Sequence, residues 1–219
     1  AKTDASRTLL YETSRFVDMY KTLEDISSER KLTQEEKAEM KYYSKMADAF
    51  TPLGKGMSSE YANQNASDAI QVHGGSGFMK DYKCERLFRD ARITNIYEGT
   101  TQLQVVAAIR HVTTGTYLQR IKEYEAMPVS PELESLKRKL SKMTQMYEKL
   151  TEIVAAPRDE EYLDFHSRRL VETAGHIIMG HLLVRDANKN PDMFRRSAEV
   201  YIIYGQAEVI KNYNFVTKS

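Results

Sequence analysis

Residues 71–104 read QVHGGSGFMKDYKCERLFRDARITNIYEGTTQLQ, and this stretch is more informative about the chain than any other. A glycine-rich turn at Gly74 and Gly75 precedes a short charged segment, and a single glutamate, Glu98, follows next to Gly99. Glycine-rich turns let backbone N–H groups approach a phosphate, and Gly99 has no Cβ to keep a ligand away from the neighbouring carboxylate. The stretch therefore predicts a nucleotide cofactor beside a carboxylate base.

Each half of this pattern also has a simpler interpretation. The glycine turn follows a predicted helix rather than a strand, so Gly74 would serve equally well as a left-handed C-cap. Glu98 lies just before the helix that begins near Thr100, where a carboxylate is a common cap. The pattern by itself leaves these alternatives open.

The composition is that of an ordinary globular protein without a global affinity for polyanions. The 219 residues are 41% hydrophobic and 29% charged, and 32 basic residues against 31 acidic ones leave a formal net charge of +1. No apolar run approaches the roughly 18 to 20 residues of a membrane span. The single cysteine, Cys84, excludes an internal disulfide, is expected to be a partly exposed, unreactive thiol, and favours a reducing compartment. The histidines lack partners at metal-ligand spacing, so no metal site is expected.

The spacing of apolar residues predicts helices almost throughout, as does a content of only five prolines and ten glycines. We expect an all-α, up-and-down helical bundle. Thr33 and Glu36 form the T-x-x-E capping box of a second helix. Pro52 follows a candidate N-cap and predicts a restarted or kinked helix at that point. Residues 81–92 are expected to form a short charged helix, and residues 100–125 a longer one.

A proline-containing linker divides the chain into two predicted units, residues 1–127 and residues 130–219. The second unit opens with seven apolar residues at the 3-4 spacing of heptads, which predicts a strongly amphipathic helix. One alternative function follows from this pattern alone, namely a structural helical module that assembles through the heptad face. The face comprises Leu133, Leu136, Leu140, Met143, Tyr147, Leu150 and Val154.

Three runs in this sequence, Q-x-H-G-G-x-G, R-D-A-R and I-Y-E-G-T-x-x-x-Q, follow one another within residues 71–104. With them, residues 60–112 closely resemble the C-terminal domain of acyl-CoA dehydrogenases, and the helices from residue 1 onward fit that domain more loosely. Residues 130–219 resemble the helical domain that longer, bacterial-type members add. The resemblance implies a piece of a larger FAD-dependent enzyme, without its N-terminal helical domain and its β-domain.

The resemblance implies α,β-dehydrogenation of an acyl-CoA thioester to the trans-2-enoyl-CoA, with Glu98 as the catalytic base. Removing a proton from carbon α requires a carboxylate held against that carbon and donors for the developing enolate oxygen. Tyr97 and Gly99 are the candidate substrate-binding neighbours. Tyr97 and Ile96 are also expected to form a dry wall that strengthens the carboxylate as a base.

The family match also assigns five residues to FAD. Gln71, Gly74 and Gly75 match a loop that lies against the adenosine pyrophosphate of the FAD held by the neighbouring subunit. Thr100 and Gln102 match positions after the base that hydrogen-bond the FAD. The charged residues between these two groups are expected to form a salt-bridge network that fixes the loop carrying the base. They are Arg86, Arg89, Asp90 and Arg92.

The resemblance further implies an acyl-CoA substrate, electron-transfer flavoprotein as the redox partner, and a homodimer or dimer of dimers. The 219-residue chain alone is expected to self-associate, but to hold little FAD and to be inactive, because the flavin-ring domain is absent. Its expected location is the bacterial cytoplasm, or the mitochondrial matrix in a eukaryote. A rival function in nucleic-acid protection rests on Arg168-Arg169 and Arg195-Arg196. The near-zero net charge and an intact Glu98 argue against it, so no nucleic-acid partner is expected.

Overall fold

The computed structural model of the chain describes residues 1–218 and contains nine α-helices. No strand occurs within these residues, which confirms the all-α prediction. No helix of this described part is long and apolar enough to cross a membrane. The helices are α1 (Lys2–Glu29), α2 (Gln34–His73), α3 (Gly75–Phe78), α4 (Lys83–Ile93), α5 (Thr101–Thr113), α6 (Thr116–Ala126), α7 (Glu134–Ala155), α8 (Glu160–Lys189) and α9 (Pro191–Lys218), with a 3₁₀ turn at Pro131–Leu133.

The long helices α1 and α2 pack along each other and begin the bundle. The predicted capping box starts α2, since the backbone N–H of Glu36 donates to Thr33 Oγ1 at 3.1 Å and that of Thr33 donates to Glu36 Oε2 at 2.8 Å. Phe16 of α1 meets Phe50 of α2 edge to face, with ring centroids 4.9 Å apart. The Tyr117 hydroxyl donates to the Ala49 carbonyl at 2.6 Å, so α6 joins the same core.

Two predicted helix boundaries are wrong, as is the predicted exposure of Cys84. Helix α2 runs unbroken through Pro52, which is buried among its neighbours. Tertiary burial there outweighs the one backbone hydrogen bond that proline removes. The predicted helix over residues 100–125 is interrupted at Gly115, whose φ of 72° lies in the left-handed region and ends α5. Cys84 is buried, with only 9% of its surface exposed.

The heptad helix, α7, forms as predicted and uses its apolar face inside the chain. All seven heptad residues are buried, and α7 packs against α8 and α9. This face is therefore not available for assembly with another molecule, which removes the basis of the structural-module alternative. Helix α8 is the centre of the fold, because every residue from 173 to 184 is buried. A helix that is covered on all sides is a core element rather than a surface addition.

One buried carboxylate, Glu12 of α1, ties α8 and α6 to the first helix. Its carboxylate oxygens lie 2.7 Å from Arg120 Nη2 and 2.8 Å from Arg185 Nη1, and the Tyr124 hydroxyl donates to it at 2.7 Å. Arg15, one turn further along α1, adds a third guanidinium at 3.1 Å. Burial acts to raise the pKa of Glu12, but the arginines outweigh it and hold that pKa well below its usual range.

Candidate active site

Glu98 lies in the turn between α4 and α5, and its backbone has an uncommon conformation. Its φ is 50°, in the left-handed region that non-glycine residues rarely adopt, and the φ of Gly99 is 93°. A Cβ on Gly99 would be strained by this φ and would lie 2.6 Å from Gln104 Nε2, so the Gln104 amide would have to move away. Surrounding contacts must hold a backbone of this kind in place.

The start of α5 is closed by Thr100, not by the glutamate. The Leu103 N–H donates to Thr100 Oγ1 at 3.4 Å, and the Thr101 N–H donates across the turn to the Asn95 carbonyl at 3.3 Å. Thr100 is therefore the N-cap. Within residues 1–218, the Glu98 carboxylate makes no capping hydrogen bond, so the simpler interpretation of Glu98 is wrong.

Two side chains fix the turn through its carbonyl groups. Lys55, on α2, donates from Nζ to the Gly99 carbonyl at 2.6 Å. Gln104 of α5 donates from Nε2 to the carbonyls of Glu98 at 3.3 Å and Gly99 at 3.2 Å. Because both acceptors belong to the backbone, the carboxylate itself stays free for other partners.

Two further side chains, both on α2, contact the residues on either side of this turn. Glu60 Oε1 accepts from Thr101 Oγ1 at 2.7 Å and from Asn95 Nδ2 at 3.4 Å. Asn63 Nδ2 donates to the Ala91 carbonyl at 3.0 Å. Sequence reasoning missed Lys55, Glu60, Asn63 and Gln104 as parts of the site. For the three α2 residues the sequence offered only a row of polar positions, whereas Gln104 is the last residue of the I-Y-E-G-T-x-x-x-Q run.

The predicted dry wall around Glu98 is not present in the described chain. Tyr97 is 50% exposed, Ile96 is 44% exposed, and Glu98 is itself exposed. Lys55 Nζ lies 5.8 Å from the centre of the Tyr97 ring, and about half of the Tyr97 surface remains accessible. The site as it stands consists of a fixed backbone with an accessible carboxylate.

The glycine turn at Gly74 and Gly75 lies near the N-terminal end of residues 71–104, the stretch that also carries Glu98. Gly74 ends α2 with a φ of 60°, Gly75 begins α3, and a Cβ on either glycine would meet no atom within 4 Å. Gln71, on the last turn of α2, is exposed, as are both glycines. No hydrogen bond or ring contact in the described chain joins these three residues to Glu98, Thr100 or Gln102.

The predicted arginine network is smaller than expected. Arg86 pairs with Asp90 at 3.8 Å across an exposed face of α4, a separation at which such pairs contribute little stability. Only Arg92 reaches the loop, where it donates to Asn95 Oδ1. Within residues 1–218, no ion pair involves Arg89.

The basic residues of the nucleic-acid alternative are largely engaged with neighbouring side chains. Arg168 donates to Glu172 at 2.7 Å, and Arg195 pairs with Glu132 at 2.8 Å. The guanidinium of Arg169 lies 3.8 Å from the ring centre of Phe215. These paired arginines do not form the open basic surface that binds the phosphate groups of nucleic acids.

A cavity of about 200 Å³ adjoins the supports of the turn and is lined in part by Glu60, Thr101 and Gln104. Its other wall includes His176 of α8, whose Nδ1 lies 3.2 Å from the Tyr61 hydroxyl. Burial lowers the pKa of His176 to about 4, so the ring is neutral at physiological pH. Helix α8 thus lines the same cavity as the residues that support the turn carrying Glu98.

Comparisons with known proteins agree with this arrangement of helices. The family model "Acyl-CoA dehydrogenase, C-terminal domain" matches residues 15–113, and "Acyl-CoA dehydrogenase C terminal" matches residues 113–219. An acyl-CoA dehydrogenase from Bacillus anthracis, solved in complex with FAD, superposes with a TM-score of 0.68 at 22% identity, over 98% of this chain and 39% of that one. This likeness confirms the fold. The division into units at residues 127–130 stays a prediction.

Two curated relatives each match about a quarter of the chain. An acyl-CoA dehydrogenase from Bacillus subtilis is 45% identical over 64 residues, which are 29% of this chain and 17% of that protein. A caffeyl-CoA reductase–Etf complex subunit from Acetobacterium woodii is 48% identical over 52 residues, 24% of this chain and 14% of that protein. The matches thus span less than a fifth of either relative. With two family models that together match residues 15–219, the chain belongs to the acyl-CoA dehydrogenase family.

Proposed function

We propose that this chain supplies the catalytic base and part of the flavin site of an FAD-dependent acyl-CoA dehydrogenase, which converts an acyl-CoA thioester to the trans-2-enoyl-CoA. The observation that carries the proposal is the turn at Glu98. Lys55 and Gln104 hold its backbone by the carbonyls, while the carboxylate remains accessible. A fixed backbone under a free carboxylate is what a general base requires.

Glu98 would take the proton from carbon α of the thioester. The carboxylate becomes a carboxylic acid, and the electron pair of the broken C–H bond, stabilised by the thioester carbonyl, forms the bond between carbons α and β as the hydride leaves carbon β. Gly99 allows the substrate to approach the backbone closely, and the exposed ring of Tyr97 provides an apolar contact beside it. When bound, FAD supplies the acceptor for the hydride that leaves carbon β.

The residues matched to FAD are suited to hold it. Gly74 and Gly75 expose their backbone at a point where no atom lies within 4 Å of a Cβ position, which leaves room for a phosphate group. Thr100 and Gln102 lie at the N-terminal end of α5, where the helix favours negative charge. Gln71 adds an exposed amide at the end of α2. We assign these five residues to the cofactor.

The relatives' names support a redox partner and a direction of reaction. A relative that is a subunit of a reductase–Etf complex supports electron-transfer flavoprotein as the partner of this protein too. The same name also supports a second candidate activity, reduction of an enoyl-CoA, in which protonated Glu98 returns a proton to carbon α. We give dehydrogenation the first place because the other relative is named as a dehydrogenase.

The test uses the flavin-loaded protein that contains these 219 residues. Acyl-CoA thioesters of graded chain length are added without oxygen, and the flavin absorbance is followed. We expect bleaching of the oxidised flavin band and formation of the trans-2-enoyl-CoA. If no acyl-CoA bleached the flavin and an enoyl-CoA reoxidised the reduced flavin, the protein would be a reductase rather than a dehydrogenase. A protein that purifies without flavin and binds none would contradict the proposal.

Lys55→Met in the same flavin-loaded protein tests the support of the turn. Methionine fills a similar volume but donates nothing to the Gly99 carbonyl, so Glu98 loses its fixed position. We expect kcat to fall by about 10- to 100-fold, as for a misplacement of about 1 Å, with the flavin content unchanged. Steady-state kinetics and flavin absorbance provide the measurements.

Lys41→Met is the matched control, because Lys41 is an exposed lysine of the same helix α2. Its kinetics should equal those of the unsubstituted protein. If Lys55→Met retained its full kcat, the carbonyl contact at Gly99 would have no part in placing the base.

A further inference from the structure

A second cavity lies away from Glu98, where the linker between α6 and α7 crosses α8. Its volume is about 380 Å³, within the range of about 300–1,000 Å³ typical of small-molecule sites. Met127 and Val129 of the linker and Val184 of α8 provide apolar walls, and the ring of Tyr124 closes one side. None of the residues assigned to substrate or flavin lines it.

The charged residues around this cavity all have the same sign. Lys137, Arg185 and Lys189 line it, and no aspartate or glutamate does. Arg185 is engaged by Glu12 at 2.8 Å, but Lys137 reaches only the Met127 carbonyl, at 2.8 Å. Within residues 1–218, neither lysine forms an ion pair. Two cations beside an apolar cavity without a carboxylate leave a positive potential in it.

A buried polar atom at the same place lacks a partner. His181 lines the cavity, and its Nε2 has no hydrogen-bond partner in the described chain. Burial lowers the pKa of His181 to about 3, so the ring is neutral and adds no charge of its own. Arg185 Nε is also buried without a hydrogen bond, but it lies 3.6 Å from Asp186 Oδ1 and so has an ionic partner. Buried polar groups are nearly always satisfied in folded proteins, so the unpaired His181 Nε2 beside a cavity indicates a missing partner.

We propose that this cavity binds a small amphiphilic carboxylate, an apolar chain that ends in one carboxylate group. The head group would lie between Lys137 and Lys189, and the chain would fill the space between the linker and α8. A compact, strongly hydrated anion such as inorganic phosphate would match the lysines but leave the apolar walls uncovered. An uncharged alkyl chain would fill the space but leave the lysines unpaired.

Octanoate is the first probe, with 1-octanol and octylamine as ligands of similar length and different charge. Titration calorimetry of the 219-residue chain should show saturable binding of octanoate at one site. Binding of 1-octanol should be weaker by about tenfold or more, the effect of losing one close pair of opposite charges, and octylamine should not bind. The readout is independent of catalysis, so it stands or falls separately from the proposed dehydrogenase activity.

The double variant Lys137→Gln/Lys189→Gln should weaken octanoate binding by about tenfold or more. Lys142→Gln/Lys149→Gln, which changes two exposed lysines of α7 outside the cavity, is the matched control and should bind normally. Val129→Trp, which fills the space without changing a charge, should abolish binding. Its circular dichroism would show whether the chain still folds, and the lysine variants test the proposal if it does not.

Three results would overturn the proposal. They are 1-octanol binding as tightly as octanoate, unchanged octanoate affinity in Lys137→Gln/Lys189→Gln, and no saturable binding of octanoate by the unsubstituted chain.

Discussion

Glu98→Gln should lower turnover by about two to four orders of magnitude in the flavin-loaded protein, the usual contribution of a positioned general base. Glutamine keeps the size of the side chain and the backbone contacts from Lys55 and Gln104, but it cannot accept the proton from carbon α. Substrate affinity and flavin content should change little. Stopped-flow measurement of flavin reduction separates the chemical step from binding.

Glu85→Gln is the matched control, since Glu85 lies on α4 outside the turn and should leave the rate of flavin reduction unchanged. If Glu98→Gln retained near-normal turnover, the catalytic base would lie on another helix or loop. The fold and the family would stand, but the assignment of Glu98 would not.

Glu12→Gln should cost the chain about 3–5 kcal/mol in the free energy of unfolding, the usual result of removing one partner from a buried ion pair. The substitution leaves Arg120, with 9% of its side chain exposed, without its buried carboxylate. It also places amide protons at one of the two oxygen positions, facing either Arg185 or the Arg120 and Tyr124 donors. Urea denaturation followed by circular dichroism measures the loss.

Glu24→Gln, on the same helix α1, removes an exposed carboxylate that pairs with Lys21. It should change the free energy of unfolding by less than about 1 kcal/mol. A loss for Glu12→Gln no larger than that of this control would show that the buried cluster contributes little.

The free energy of unfolding should also fall in acid, because Glu12 has a lower pKa in the folded chain than in the unfolded one. Its pKa is held well below the usual range in the folded chain, while the unfolded carboxyl takes up its proton near pH 4.3. The contribution of Glu12 is therefore fully present above that pH and is lost as the pH falls toward the folded pKa. The Glu12→Gln variant should show a shallower loss of stability between about pH 4 and pH 2.

The parts of the fold that sequence predicts are those with a local cause. The capping box of Thr33 and the heptads of α7 form as expected, because three- and four-residue spacing determines both. Pro52 misleads because its burial depends on residues far along the chain. Gly115 was overlooked as a helix end, although a glycine with φ of 72° is the common device for ending a helix.

The same distinction between local and long-range causes applies to the candidate site. The motif identifies Glu98 and its neighbours because they are consecutive in the sequence. Lys55 and Glu60 act on backbone or hydroxyl groups more than 40 residues away, and such contacts carry no local pattern. The openness of the surface at Tyr97 was also unpredictable, since exposure depends on what else packs there.

The central position of α8 has a consequence for how the chain holds together. Its contacts with α1, α5 and α6 have the character of an interface between subunits, with a buried apolar surface and the charged cluster at Glu12. Here both sides belong to one chain, in which α7 and its flanking loops connect α6 to α8, so their encounter is intramolecular and its effective concentration does not change on dilution. Helix α8 therefore keeps its contacts with the first helices at any protein concentration.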